Sequence, residues 1–110
     1  MNIDLLVDDV VKIGGVNTKL TALDIAEIIA GTKTYTPIAL TDKWLTDLGF
    51  TTYLDEVGLG MYQQGNVYVY LSPVRFVADI YWGNELQAGV DCVHQLQNVY
   101  KALTGIMITK

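Results

Sequence analysis

The sequence predicts an α+β fold, a mostly antiparallel β-sheet with two or three short helices packed on one face. Three observations predict it. From Phe50 to Trp82, short runs rich in Val, Ile, Tyr and Phe are cut by turn-forming residues, and the last of them alternates with a period of two. Two short apolar segments each have a threonine in front and a glycine behind, as capped helices do. A third segment, Val93–Gly105, repeats its apolar residues at steps of three and four.

The elements follow in chain order. "DDVVKIGGVNTKL" holds two extended runs on either side of Gly14-Gly15, a pair that accepts the positive φ angles of a tight turn. It predicts a hairpin of Leu5–Ile13 with Val16–Leu20. In "LTALDIAEIIAG", Thr21 supplies a cap and Asp24 stands at capping-box spacing. Leu20 and Ile25 are placed for a hydrophobic staple, and Gly31 stops a helix over Ala22–Ala30. Its β-branched isoleucines leave a strand as the alternative.

"IALTDKWLTDLGF" repeats this grammar with Thr41 as cap, Asp42 in the first turn, Leu40 and Leu45 as staple and Gly49 as stop. Trp44, Leu45 and Leu48 make its apolar stripe, and Pro37 holds the residue before it extended. "FTTYL", "LGMYQ", "NVYVYL" and "VRFVADIYW" then read as strands, separated by "DEVG", "QGN" and Ser72-Pro73. In the last, Val74, Phe76, Ala78, Ile80 and Trp82 share one face and Arg75, Val77, Asp79 and Tyr81 the other. In the final helix Val93, Leu96, Val99 or Tyr100, and Leu103 form the apolar face. Asp91, His94, Gln95, Gln97, Asn98 and Lys101 are expected on its wet side. Gly105 ends it, and "IMIT" is read as a short edge strand.

The 110 residues show no internal repeat or linker, so residues 1–110 are read as a single domain. A composition of 51% hydrophobic and 17% charged residues is that of a globular chain rather than a disordered one. The lone Cys92 excludes an intramolecular disulfide and suits a reducing compartment. "MNIDLLVDDVV" has no basic n-region and so does not read as a signal peptide. No apolar run approaches the roughly 18 residues of a membrane helix. The net charge is −5 and the seven cations are scattered. Without a basic stripe, neither duplex nucleic acid nor a membrane is an expected partner.

His94, the single histidine, has Asp91 and Asn98 at helical spacings that would orient its ring. Catalysis would also need a nucleophile or substrate proton within reach. Cys92, two residues away, is expected to point elsewhere on a helix. Asp91, His94 and Asn98 are therefore read as a structural polar face. One histidine and one cysteine do not complete a zinc site, so no metal is expected. "IGGV" and "EVGLGMY" lack a P-loop lysine and a following helix, so no nucleotide cofactor is expected. The pairs Asp8-Asp9 and Asp55-Glu56 read as solvated acids. Tyr68 and Tyr70 share a strand face opposite Val67, Val69 and Leu71. Together with Arg75 and Tyr81 they form the candidate binding or interface surface. The alternative is ordinary cross-strand packing of tyrosines.

Two stretches, "YTPIALTDKWLTDLGF" and "VHQLQNVYKALTG", carry a resemblance. The chain resembles a group of small proteins of Bacteroidetes genomes, prophages and phages. Members of that group read "PIPLT-x-x-W-L-x-x-x-GF" in the middle and end on a "VHQLQN-x-Y-x-ALTG" helix. The match lies at Pro37–Phe50 and Val93–Gly105; Ala22–Ala30 has no counterpart. The resemblance implies a phage or mobile-element setting and a place in the bacterial host cytoplasm or the virion. It implies no activity and transfers no catalytic residue.

The expectation is a small, non-enzymatic protein that acts by binding. It would be a homo-oligomer through the tyrosine face or Ala22–Ala30, with a host protein or a small anionic ligand as partner. Inhibition or sequestration of a host defence component is the role this setting suggests. A virion, packaging or cargo component is the alternative, and an enzyme the third reading.

Overall fold

The computed structural model describes residues 5–54, 60–71 and 77–108. It is α+β and mostly sheet, in the order β1 (Val10–Ile13), β2 (Val16–Lys19), α1 (Ala22–Ala30), α2 (Asp42–Asp47), β3 (Thr51–Leu54), β4 (Gly60–Gln64), β5 (Val67–Leu71), β6 (Ala78–Trp82), β7 (Glu85–Val90) and α3 (Val93–Thr104). Two compact units share these elements. One combines the chain up to Ala39 with the segment from Cys92; the other is Leu40–Asp91.

The first unit is built on the β1–β2 hairpin, turned by Gly14 and Gly15 at φ +60° and +79°. Positive φ at both central residues matches the right-handed twist of the strands. The first strand begins at Val10 rather than Leu5. Asp8 adopts φ +77°, and the Asp9 N–H donates to the Leu6 carbonyl across a turn. Aspartate tolerates the left-handed region because its short polar side chain bonds locally. The turn is closed from the next residue, with the Leu6 N–H donating to Asp9 Oδ2 at 2.8 Å. Asp9 is fully buried, which overturns the expectation that both acids are solvated.

Helix α1 has the expected bounds. The Asp24 N–H donates to Thr21 Oγ1 at 3.1 Å, and the Thr21 N–H donates to Asp24 Oδ2 at 3.0 Å, a complete capping box. Gly31 at φ +84° closes the helix, with the Thr32 N–H donating to the Glu27 carbonyl. Ile25, Ile28 and Tyr35 pack on a core of Leu5, Val11 and Leu20. The segment after α1 pairs with β1 through reciprocal Lys12–Thr36 backbone bonds. It then meets the start of α3, where the Val93 N–H donates to the Ile38 carbonyl at 2.8 Å.

Helix α3 buries Val93, His94, Leu96, Gln97 and Tyr100. Its polar cluster is therefore not the wet side of the helix. Gln97, fully buried, uses both ends of its amide. Oε1 accepts from the Val10 N–H at 2.8 Å, and Nε2 donates to the carbonyls of Asp8 at 3.1 Å and Ile108 at 2.8 Å. Backbone groups buried beside a helix need partners, and a glutamine supplies donors and an acceptor together. Residues 106–108 form no strand. The Ile108 carbonyl answers Gln97 instead of a sheet ladder.

The second unit is a five-stranded antiparallel meander, β3-β4-β5-β6-β7. Strand β7 was not expected. "ELQAGV" is rich in residues disfavoured in strands, and it is recruited by the register Ala78↔Val90 and Ile80↔Ala88. Gly65 and Gly83, both at φ +61° and both followed by asparagine, occupy the first central position of the β4–β5 and β6–β7 turns. One sheet face buries Tyr62, Val67, Val69, Ala78, Ile80 and Val90. The Tyr62 hydroxyl donates to Asp42 Oδ1 at 2.5 Å, which ties this face to the first turn of α2. Helix α2 is capped by Thr41 and ends with Gly49 at φ +99°, the Phe50 N–H donating to the Leu45 carbonyl.

Candidate functional site

The opposite face of the five-stranded sheet carries the expected tyrosines. Alternation along β5 points Val67 and Val69 into the core and leaves Tyr68 and Tyr70 half-buried on the other side. The β5–β6 register sets Tyr68 directly opposite Tyr81 and Tyr70 opposite Asp79. On the other flank Met61 pairs with Tyr70 and Gln63 with Tyr68. Gln63 Nε2 donates to the Tyr68 hydroxyl at 3.1 Å and to the Gly65 carbonyl at 3.0 Å, which fixes that ring. Met61, Tyr68, Tyr70, Tyr81, Gly83 and Asn84 line an open concavity of about 410 Å³.

Three of the four candidate surface residues are thus brought together, and Arg75 lies outside the described residues. Met61, Gly83 and Asn84 were not among the residues expected there, and Asp79 lies on the same sheet face without lining the concavity. Asp79 follows from the alternation of β6. The others follow only from the register, which folds the Gly83-Asn84 turn back beside Tyr81.

The three residues of the polar helix face separate. Asp91 is exposed just before α3, and its carbonyl accepts from the Leu40 N–H at 3.3 Å. Asn98 is half-buried, and His94 is buried at 2% exposure. Cys92 does not point away from it. As the N-cap it is extended (φ −141°), which swings Sγ to 3.4 Å from His94 Nδ1. The Tyr35 ring stands edge-on to the imidazole, with centroids 6.1 Å apart at 87°. A thiol beside an imidazole is a nucleophile–base pairing in kind. Cys92 is only 4% exposed, so in this conformation both groups are packed among core residues rather than open to a substrate. Among the described residues no group of three or more His, Cys, Asp or Glu is placed to hold a metal ion. None of the described helices is long and apolar enough to cross a membrane.

The ionisable groups of the site elements shift for identifiable reasons. Burial, with the Asp42 carboxylate beside it, pushes the Tyr62 hydroxyl up to about 12. In the first unit the Lys33 ammonium, 2.8 Å from Asp24 Oδ1, and the Thr21 donors hold the Asp24 carboxyl down at about 2.

Comparison of the chain with protein-family models, with curated proteins and with solved structures finds no match.

Proposed function

We propose that this protein acts by binding rather than by catalysis, and that the ligand seats on the tyrosine face of the five-stranded sheet. The observation that supports this reading is the convergence of three half-exposed tyrosine rings and Met61 on one open concavity. Rings held on a rigid sheet lose little side-chain freedom on binding, and tyrosine joins a large apolar area to a polar tip. The resemblance to small phage and prophage proteins adds the setting. In it, sequestration of a host component in the bacterial cytoplasm is the role such a surface serves.

Native mass spectrometry of the purified protein, before and after incubation with bacterial lysate, tests the reading when run beside Tyr68→Thr and Tyr81→Thr. A mass gained by the wild type and lost in both variants, with their melting curves intact, supports it. A mass gained equally by all three moves the site elsewhere, and no gain at all overturns the reading.

A homo-oligomer is a second reading, supported by α1. None of its nine residues is buried, and Leu23 and Ile29 are 68% and 53% exposed. Its acids, Asp24 and Glu27, lie off the stripe that these two mark, and both pair with Lys33, at 2.8 and 3.4 Å. The exposed positions Leu23, Ala26, Ile29 and Ala30 therefore make an uncharged stripe, and the same stripe on a second copy is its natural complement. The same mass spectra read the oligomer, and Leu23→Glu should reduce it to monomer.

A further inference from the structure

We infer that the tyrosine concavity selects an organic cation, of the quaternary ammonium or alkylguanidinium class, by cation–π contact with Tyr68, Tyr70 and Tyr81. This rests on the binding reading above and names the chemistry of its ligand. Three observations carry it. The first is the ring set itself. Tyr68 and Tyr81 are directly opposed across β5 and β6, and Tyr70 lies two residues along on the same face. The face of an aromatic ring is the negative end of its quadrupole, and several rings around one concavity add their attraction for a cation.

The second is Asp79, which does not itself line the concavity but pairs across β5 and β6 with Tyr70, which does. The strand partner of Asp79 on β7 is Gly89, which has no side chain of its own, and Asp79 is half-buried. A Cβ there would come within 3.6 Å of Asp79 Oδ1.

The third is the distribution of charge. The segment Leu40–Asp91 holds seven acidic residues and two cations, Lys43 and Arg75, whereas the rest of the chain holds five of each. The whole net charge of −5 therefore belongs to the segment that carries the tyrosines. Lys43, the one cation among the described residues of that segment, lies on α2 and not on the sheet.

An anion would meet negative ring faces, a carboxylate and an acidic field at once. A neutral ring would stack but leave Asp79 unused. A soft cation engages all three, and it sheds its weakly held water at smaller cost than a compact ammonium does. A concavity of about 410 Å³ lies within the size range of small-ligand sites.

The test uses three probes with the full chain: choline, its neutral carbon isostere 3,3-dimethylbutan-1-ol, and AMP. Binding is read from the tyrosine ring resonances in two-dimensional NMR. Choline should shift the Tyr68, Tyr70 and Tyr81 rings with about tenfold tighter binding than the isostere, the discrimination that one partly desolvated cation–π site supplies. AMP should leave them unmoved. Asp79→Asn should weaken choline severalfold at unchanged melting temperature, and Tyr81→Thr should abolish its binding. Equal binding of the isostere, or tighter binding of AMP, overturns the cation while leaving the surface a binding site. Silence toward all three probes also overturns it, and the lysate measurement then decides the parent reading separately.

Discussion

The two units handle their polar groups in opposite ways. In the unit built on the β1–β2 hairpin, a glutamine, a histidine and an aspartate are driven inside. At least one of them, Gln97, is there to satisfy backbone on two separate segments. In the five-stranded unit the described core face is mostly apolar, with Tyr62, its Asp42 partner and the half-buried Gln64 as its polar groups, and Tyr68, Tyr70, Tyr81 and Asp79 collect on the opposite face. Buried amides define a unique arrangement because every alternative leaves a donor or acceptor unpaired. Tyr68, Tyr70 and Tyr81 of the five-stranded unit are instead only half-buried, on the face away from its core. One unit is specified from within, and the other is equipped from without.

The sharpest way to break that contrast is to remove the internal amide. Gln97→Leu strands the Val10 N–H and the Ile108 carbonyl in a buried setting and frees the part-buried Asp8 carbonyl, at a cost of about 3 kcal/mol. Urea denaturation should show the loss. Native-state hydrogen exchange should show the Val10 amide opening far more than the Val69 amide of β5. Uniform acceleration of both would mean that the units share one cooperative core. Next in size is Thr21→Ala, which dismantles the capping box at about 1 kcal/mol, read from the same denaturation midpoint. Thr41→Ala removes a longer bond at 3.3 Å in α2 and should cost less.

Two titrations sharpen the comparison at the pH extremes. The Tyr62 hydroxyl is raised in the folded state, so the neutral form is favoured there. Its contribution is complete below pH 10 and is lost as the pH climbs toward 12. Absorbance at alkaline pH should show one of the seven tyrosines ionising late, and Asp42→Asn should bring it earlier. In the hairpin unit the depressed Asp24 carboxyl has the opposite sense. Its contribution is present above pH 4 and fades as the pH falls toward 2. Carboxyl-carbon NMR should find Asp24 titrating low in the wild type and returning toward 3.8 in Lys33→Met.

Much of the local structure was legible because it is written in short-range chemistry. Thr21 with Asp24, Gly14 with Gly15, and the alternation of "VYVYL" each act within a few residues, and each gave the element expected. The tyrosine face was legible for the same reason. What could not be read depends on partners far along the chain. Periodicity assigns Gln97 to the polar side of a helix, and only the unpaired groups at Val10 and Ile108 draw it inside. Glycine and alanine in "ELQAGV" argue against a strand until Ile80 and Ala78 supply a ladder. The Cys92–His94 contact was missed because a residue just before a helix does not obey helical spacing.

The Gln97 amide also sets an order of events. It joins Val10 to a residue 87 positions later and reaches on to Ile108. The hairpin is made before the five-stranded sheet, yet its Gln97 partner is made after it. The intervening sheet segment, Leu40–Asp91, is continuous in sequence and ends six residues before Gln97. The hairpin meets its nearer partners, Thr36 and the side chains of α1, ahead of that sheet and its Gln97 partner after it. A chain cut just before Gln97 would keep every strand of the five-stranded sheet and lose the clasp on its hairpin.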